Sequence, residues 1–489
     1  MAARRSFKSD ESFLTKIAIG ATGTRKVFED LQNQGHNPIE LERGSMTFKI
    51  WKTIKIKRIR VPDILCVKCG SQVESRAKTN LEISMSHSIS DPERGWDFGL
   101  CDKDFVAYVV CSKTGDAPVD WQAQDLIQYV AICDMREAQV NSRAVLLSPK
   151  GAEEGFEARY LWPATIANYD GVVDSISADC LKYRRSIDNR SIRLSLAKKG
   201  LQLNPIADIG DEVVSNQVLA ATVPVKQRFN CDATMTEENY IDMLGSPSLS
   251  ERYAAAKALS SFPADGVSRA LIAKVDDEQE HLYVRLEAAA SLARLGIPEG
   301  WHFIEDCLSN EYLQNKLEAV IILAEISEDE SVRLLLDVLS DGEERPEIRA
   351  GAAWALGELA PESSLAALVD SFSEVDEEIR IEAARALAKL TSRYAPDVFG
   401  LFTSTNPEKR PGVAWAISNS GEVDVEELLH SIGDEDTRQW AAYIIGNQDQ
   451  GKFIAEIESL KTLDPELYFA VTVLWKIMAS WVFGLEEYG

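Results

Sequence analysis

A nine-residue motif returns through the second half of this chain, and it restricts the fold more than any other feature. Val284-Arg285-Leu-Glu-Ala-Ala-Ala-Ser-Leu, Ile348-Arg349-Ala-Gly-Ala-Ala-Trp-Ala-Leu and Ile379-Arg380-Ile-Glu-Ala-Ala-Arg-Ala-Leu are three of its versions. A basic residue recurs at Arg252, Arg285, Lys316, Arg349, Arg380, Arg410 and Arg438, a period of about 31 residues. Repetition at that period belongs to stacked units whose apolar faces are buried only by their neighbours. Each unit reads as two helices. The first is apolar at helical spacing, as in Val332–Leu339 and Val425–Ile432. The second carries alanines at i, i+1 and i+4, small enough to let neighbouring helices approach closely. Turns rich in Asp, Glu and Gly separate them, such as Ser340-Asp341-Gly342-Glu343. The repeated basic residue is expected to bond a carboxylate in the preceding turn, a structural role rather than an anion-binding ladder.

On those motifs the region 235–489 resembles the short HEAT repeats of the phycobilisome-lyase-like class, with Leu467–Ser480 as a degenerate terminal helix. The resemblance implies an α-solenoid that binds a protein partner. It does not imply lyase activity, because unrelated proteins share the repeat. Trp354, Trp415 and Trp440 fall on alanine helices and are assigned to packing, while Leu474, Trp475, Trp481 and Phe483 are assigned to closing the end of the array.

Charge separates this region from the rest. Residues 1–230 hold 32 Lys and Arg against 29 Asp and Glu, a net of +3. Subtraction from the totals of 52 and 78 leaves 20 against 49 in residues 231–489, a net of −29. The whole-chain value of −26 is therefore an average of a near-neutral half and an acidic one. The acidic array repels nucleic acid and suits basic surfaces; the first half carries no such exclusion. A 45% hydrophobic composition excludes wholesale disorder, and eight cysteines in 489 residues are too sparse for a disulfide scaffold. No secretory signal is expected, since Met1-Ala-Ala-Arg-Arg-Ser-Phe has no apolar core behind its basic residues. The longest apolar stretch, Phe469–Phe483, is too short to span a bilayer and contains Lys476. A cytoplasmic chain with no membrane partner is the expectation.

Residues 156–228 read as a small β barrel: strand, Gly-Asp turn, strand, polar turn, strand. The stretch from Ala164 to Ile176 and that from Gly200 to Ala220 resemble the barrel-sandwich hybrid of biotinyl domains and RNA polymerase large subunits. No Met-Lys-Met motif is present, so swinging-arm chemistry is not implied. Lys182, Arg184, Arg185, Arg190, Arg193, Lys198 and Lys199 make it the most basic stretch, readable as a phosphate-binding face or as the wet side of strands.

Residues 1–150 read as an α/β domain. A helix over Glu11–Gln34, interrupted at Gly20-Ala-Thr-Gly-Thr, leads to a strand at Pro38–Leu41. A long β stretch ends at Pro62-Asp63-Ile-Leu-Cys-Val, a second strand carries Glu74, Lys78 and Glu82, and Asp104–Cys111 is a buried strand. This order resembles the PD-(D/E)xK nuclease core. The resemblance implies Mg²⁺ held by Asp63 with Glu74 or Glu82, and a lysine to orient the attacking water, for which Lys78 is the candidate. Carboxylate oxygens suit that ion, and the ion acidifies water and offsets charge on the phosphate. The sequence departs from the pattern at Glu74-Ser75-Arg76, where arginine, too basic to exchange protons, stands in the lysine position.

Two further features remain. Cys66-Val-Lys-Cys69-Gly looks like a zinc knuckle at a hairpin tip, though one such pair supplies two of four ligands. Cys101, Cys111 and His87 are the other nearby ligand types, while Cys133, Cys180, Cys231 and Cys307 read as core packing. Lys49, Lys55 and Lys57, with Trp51 between them, present either a basic face to nucleic acid or a solvated edge strand. The sequence thus admits two functions. One is a metal-dependent nuclease of restriction or defence type with an acidic protein-binding arm. The other is a non-catalytic HEAT adaptor whose first domain, with or without structural zinc, binds nucleic acid or protein.

Overall fold

The computed structural model describes residues 10–42, 45, 59–115, 120–148, 157–421, 423, 428, 431–432 and 434–447, with a few positions up to 473. Lys49, Lys55 and Lys57, and the cluster of Leu474, Trp475, Trp481 and Phe483, lie outside the described residues. The chain divides into two compact units, 1–274 with 279–284, and 275–278 with 285–489.

In the first unit, helix α1 runs unbroken over Asp10–Asn33, where the sequence predicts an interruption. The reason lies at Gly23. A Cβ there would fall 2.3 Å from Ala77 Cβ and 2.9 Å from Val109 Cγ1, so the glycine lets the helix lie directly on the sheet. Its helix-propensity cost, about 1 kcal/mol, is offset as Val27 and Leu31 bury against Val73, Ala107, Val109, Ile127 and Tyr129.

The strands that follow are β1 (Pro38–Glu40), β2 (Ile64–Cys66), β3 (Gln72–Lys78), β4 (Ser84–Ser88), β5 (Phe105–Lys113) and β6 (Trp121–Ala131). The central sheet has the order β1-β2-β3-β5-β6. Its β3–β5 pair is parallel and the others are antiparallel. A parallel pair requires a crossover. Residues 79–104 supply it with β4 and a short 3₁₀ turn, Pro92–Arg94. Helix α2 (Ile132–Val140) and strands β7 (Val145–Leu147) and β8 (Glu157–Leu161) complete the region, with β4-β8-β7 forming a second sheet. Val106, Tyr108 and Val110, on the β5 face away from α1, pack with Trp96, Met135 and Trp162.

Nine short strands follow: β9 (Ala164–Ile166), β10 (Gly171–Ile176), β11 (Cys180–Arg185), β12 (Ser191–Ser195), β13 (Ala197–Lys198), β14 (Leu201–Gln202), β15 (Asn204–Pro205), β16 (Glu212–Val213) and β17 (Val218–Ala221). Sheets β12-β11-β10-β16 and β15-β17-β9 share a core of Val173, Leu181, Tyr183, Leu196, Leu203 and Leu219.

The remainder is helical: α3 (Glu237–Met243), α4 (Leu249–Ala258), α5 (Asp265–Asp276), α6 (Leu282–Arg294), α7 (Pro298–Ser309), α8 (Leu313–Leu323) and α9 (Asp329–Ser340). It continues with α10 (Pro346–Leu359), α11 (Leu365–Asp370), α12 (Glu377–Thr391), α13 (Ala395–Ser404), α14 (Arg410–Ser420) and α15 (Arg438–Gly446). Every alanine motif falls on an even-numbered helix from α4 to α14, or on α15. Ala288, Ala289, Ala352, Ala353 and Ala355 are fully buried, which is what close helix contact requires. Trp415, assigned to packing, is 36% exposed.

The recurring basic residue proves to be a staple, and at Arg252, Lys316 and Arg349 its carboxylate comes from the turn before the next alanine helix, one unit on. Arg349 donates from Nε to Leu339 O at 2.9 Å, closing the end of α9, and pairs with Glu374 at 2.6 Å. Arg252 pairs with Glu280 at 2.9 Å, and Lys316 pairs with Glu344. Arg285 and Arg410 bond Val275 O at 2.8 Å and Phe402 O at 3.1 Å. Arg349 and Arg410 each join the helix before their own to the turn one unit on, whereas Arg380 donates to Glu374 O and Val375 O in the turn before its helix. No helix among the described residues is long and apolar enough to cross a membrane.

Candidate metal centre and the carboxylates beside it

Three distant segments of the first unit meet at the β2–β3 hairpin. Cys66 ends β2, and its N–H donates to Ser71 O at 2.9 Å, while Gly70 N–H donates to Cys66 O at 2.8 Å. Gly70 takes a φ of +72°, which closes the turn and brings Cys69 back beside Cys66. His36 arrives from the turn after α1, anchored where Val67 N–H donates to Asn37 O at 2.8 Å. Cys231 arrives after β17, on a segment held by Met235 N–H donating to Lys68 O at 2.8 Å. Tyr240 of α3 adds a bond from its hydroxyl to Val67 O at 2.8 Å.

The result is a cluster of His36, Cys66, Cys69 and Cys231, with one candidate ligand atom from each lying within 4.8 Å of all the others. His36, Cys66 and Cys69 are buried. Hydrogen bonding from the Cys66 thiol pulls Cys69 down to about 3, with His36 and Ser71 adding to it. Cys66, the donor of that pair, is pushed up, and burial adds to the rise.

The sequence pointed to Cys66 and Cys69 and stopped there. Cys231, expected in core packing, is partly exposed and belongs to the cluster. His87, weighed as the nearby ligand, lies outside the cluster; it accepts from Trp96 N–H at 3.3 Å and packs edge-on against Tyr160. The available signal was the shortfall itself: two ligands of four require two more from among the remaining His and Cys. Spacing does not say which.

Asp63 lies immediately before β2, and its Oδ2 accepts from Ser75 N–H on β3 at 2.7 Å. Burial pushes its carboxyl well above the usual range, and the neighbouring charges of Glu74 and Glu42 push it further. Glu74 is paired with Arg76 at 2.7 Å. Lys78 is directed elsewhere, donating to Glu82 O at 2.7 Å and to Ser84 Oγ at 2.8 Å. Burial lowers it to about 8. Glu82, expected on a strand, sits in the loop before β4 and accepts from Arg159 at 2.8 Å. The four residues expected to act together therefore form two groups, Asp63 with Glu74, and Lys78 with Glu82. Between them, Arg76 Nε and Tyr108 Oη are buried without a hydrogen-bond partner.

The two β11 arginines singled out for phosphate are engaged with neighbours. Arg184 pairs with Asp174 at 2.5 Å, and Arg185 pairs with Asp188 at 2.9 Å. Arg185 also lies over the Tyr169 ring, 4.2 Å from its centre.

Residues 302–388 match the family described as HEAT repeats. No curated protein matches the chain. Among solved structures, the complex of CpcE and CpcF of phycocyanin lyase from Nostoc sp. PCC7120 is 18% identical, covers 51% of this chain and 97% of its own, and has a TM-score of 0.26. Kap121p bound to Pho4p is 16% identical over 45% of this chain and 30% of that one, with a TM-score of 0.31. A computationally designed armadillo repeat protein for modular peptide recognition is 18% identical over 38% of this chain and 99% of its own, with a TM-score of 0.23.

Proposed function

We propose that this chain is a non-catalytic adaptor, in which the HEAT array takes a protein partner and the sheet-rich region is a binding module on a nuclease-like frame. The observation that carries this reading is the Glu74–Arg76 pair. Arg76 already supplies the counter-charge that a cation would bring to Glu74. It cannot trade protons with water, because a guanidinium stays charged at any physiological pH. Lys78, which could, is bonded to Glu82 and Ser84 on the far side of Arg76. The partner is a basic protein surface, since a net of −29 over residues 231–489 steers cations and repels polyanions.

A second reading keeps the nuclease. It rests on the proximity of Asp63 to Glu74, two carboxylates whose mutual repulsion a divalent cation would relieve. As oxygen donors Asp63 and Glu74 fit Mg²⁺, whereas Glu82 is bonded to Arg159 and stands apart. Such an ion would supply an acidified water and charge neutralisation at the phosphate. The test is cleavage of DNA and RNA in Mg²⁺ or Mn²⁺ by the wild type and by Asp63→Ala. The adaptor reading expects no cleavage from either. Metal-dependent cleavage that Asp63→Ala abolishes overturns it in favour of the nuclease.

A further inference from the structure

We propose that His36, Cys66, Cys69 and Cys231 bind one Zn²⁺ in a closed, structural site. Zn–S bonds of about 2.3 Å and a Zn–N bond of about 2.0 Å at tetrahedral angles place two sulfurs about 3.8 Å apart, and a sulfur and a nitrogen about 3.5 Å apart. Here Cys66 Sγ and Cys231 Sγ are 3.8 Å apart. Cys69 Sγ and His36 Nδ1 are 3.7 Å apart. The Cys66 and Cys231 sulfurs are thus spaced as ligands sharing an ion; a disulfide would need about 2.05 Å.

The surroundings fit the same assignment. His36 Nε2 lies 3.2 Å from Phe229 O, an acceptor only, so the proton belongs on Nε2 and the Nδ1 lone pair faces the sulfurs. Asn37 N–H donates to Cys66 Sγ at 3.4 Å, as a backbone amide does to a metal-bound thiolate. Three sulfurs and an imidazole select a borderline-soft ion over Mg²⁺ or Ca²⁺, which take oxygen. Four protein ligands leave no open position for water or substrate, which marks a structural rather than a catalytic zinc.

The site's role follows from what it joins. It ties the turn after α1, the β2–β3 hairpin and the segment leading to α3, which are separated by 33 and 165 residues along the chain. The same hairpin carries Asp63 at its base and receives Met235 and Tyr240 at its tip. Zinc therefore holds in place both the carboxylates and the first helix after the barrel. This inference stands apart from the adaptor reading, since either functional outcome leaves the four ligands in place.

The test uses the full chain, purified from zinc-supplemented culture and analysed for metal. One Zn²⁺ per chain is expected, falling to background in Cys69→Ser and Cys231→Ser, while Cys133→Ser, at an exposed thiol outside the cluster, keeps it. Because those variants can fail to fold, two further measurements accompany them. His36→Cys should retain the metal, as four thiolates also hold zinc. Wild type stripped and titrated with Co²⁺ should develop the visible bands of a tetrahedral thiolate site, saturating at one equivalent. Folded wild type that carries no zinc and develops no such bands overturns the proposal. So does zinc retained undiminished by both Cys69→Ser and Cys231→Ser.

Discussion

The helical array and the sheet-rich region bury charged and polar groups in opposite ways. In the array each staple is local: Arg349 reaches a carbonyl ten residues back and a carboxylate 25 residues on. The same device recurs at Arg252, which reaches Ser246 O and Glu280, and its carboxylate half at Lys316. No single staple has to hold the fold, because the next unit repeats it. In the sheet-rich region His36, Cys66, Cys69 and Cys231 meet at the β2–β3 hairpin, drawn from the turn after α1 and from beyond β17. Loss of one member there leaves the others with no substitute. Distributed local pairs make a tolerant structure, and a single long-range junction makes a brittle one.

The largest expected effect breaks this comparison most directly. Chelation should unfold or loosen the first unit and spare the second, because structural zinc supplies apparent binding energies on the order of 10 kcal/mol in small zinc modules. Calorimetry with and without chelator should show one transition moving and the other fixed. Two transitions moving together, or neither, would end the contrast. Next in size is Gly23→Ala, whose new Cβ would meet Ala77 Cβ at 2.3 Å. Overpacking of this kind costs about 1–3 kcal/mol. Gly20→Ala, with open space around it, should instead add about 0.5–1 kcal/mol of stability. Denaturant melts of the two variants should move in opposite directions.

Within the array, Arg349→Ala removes a buried guanidinium from Leu339 O and Glu374 and should cost about 1.5–3 kcal/mol. Arg333→Ala breaks three exposed ion pairs, with Glu305, Glu330 and Asp337, and should stay within about 1 kcal/mol. Equal losses would mean that the staples are no stronger than surface pairs. The smallest effect expected is one of pH. The Asp63 carboxyl is raised in the folded state, so its contribution favours folding below the ordinary carboxylate range and is lost as pH rises through the raised value. Asp63→Asn keeps an acceptor for Ser75 N–H and removes the ionisation. It should gain stability over the wild type at neutral pH, with the gap closing towards about pH 4. A gap independent of pH would show that Asp63 is ionised without penalty.

The array was legible because its information is local. Apolar spacing, alanine runs and a basic residue every 31 positions are properties of short windows, and the helices α4 to α15 fall on them. Even there, whether Arg252 or Arg349 pairs backwards or forwards depended on how units stack. In the first unit, short windows misled at particular places. Gly20 and Gly23 look like a helix break, yet Gly23 is the contact point with Ala77. Glu74, Lys78 and Glu82 look like one strand, yet the strand ends at Lys78 and Glu82 turns into a loop.

Sequence alone established a helical repeat array, its acidity, and a Cys66–Cys69 pair lacking half of a ligand set. The folded chain decided that His36 and Cys231 lie beside that pair, that Arg76 rather than Lys78 faces Glu74, and that Arg184 and Arg185 are engaged with Asp174 and Asp188. The reason is physical. Repeat units are specified by contacts a few residues to a few tens of residues apart, which periodicity records. A cluster drawn across 165 residues is specified by the meeting of strands and turns in space, and no period in the chain encodes that distance.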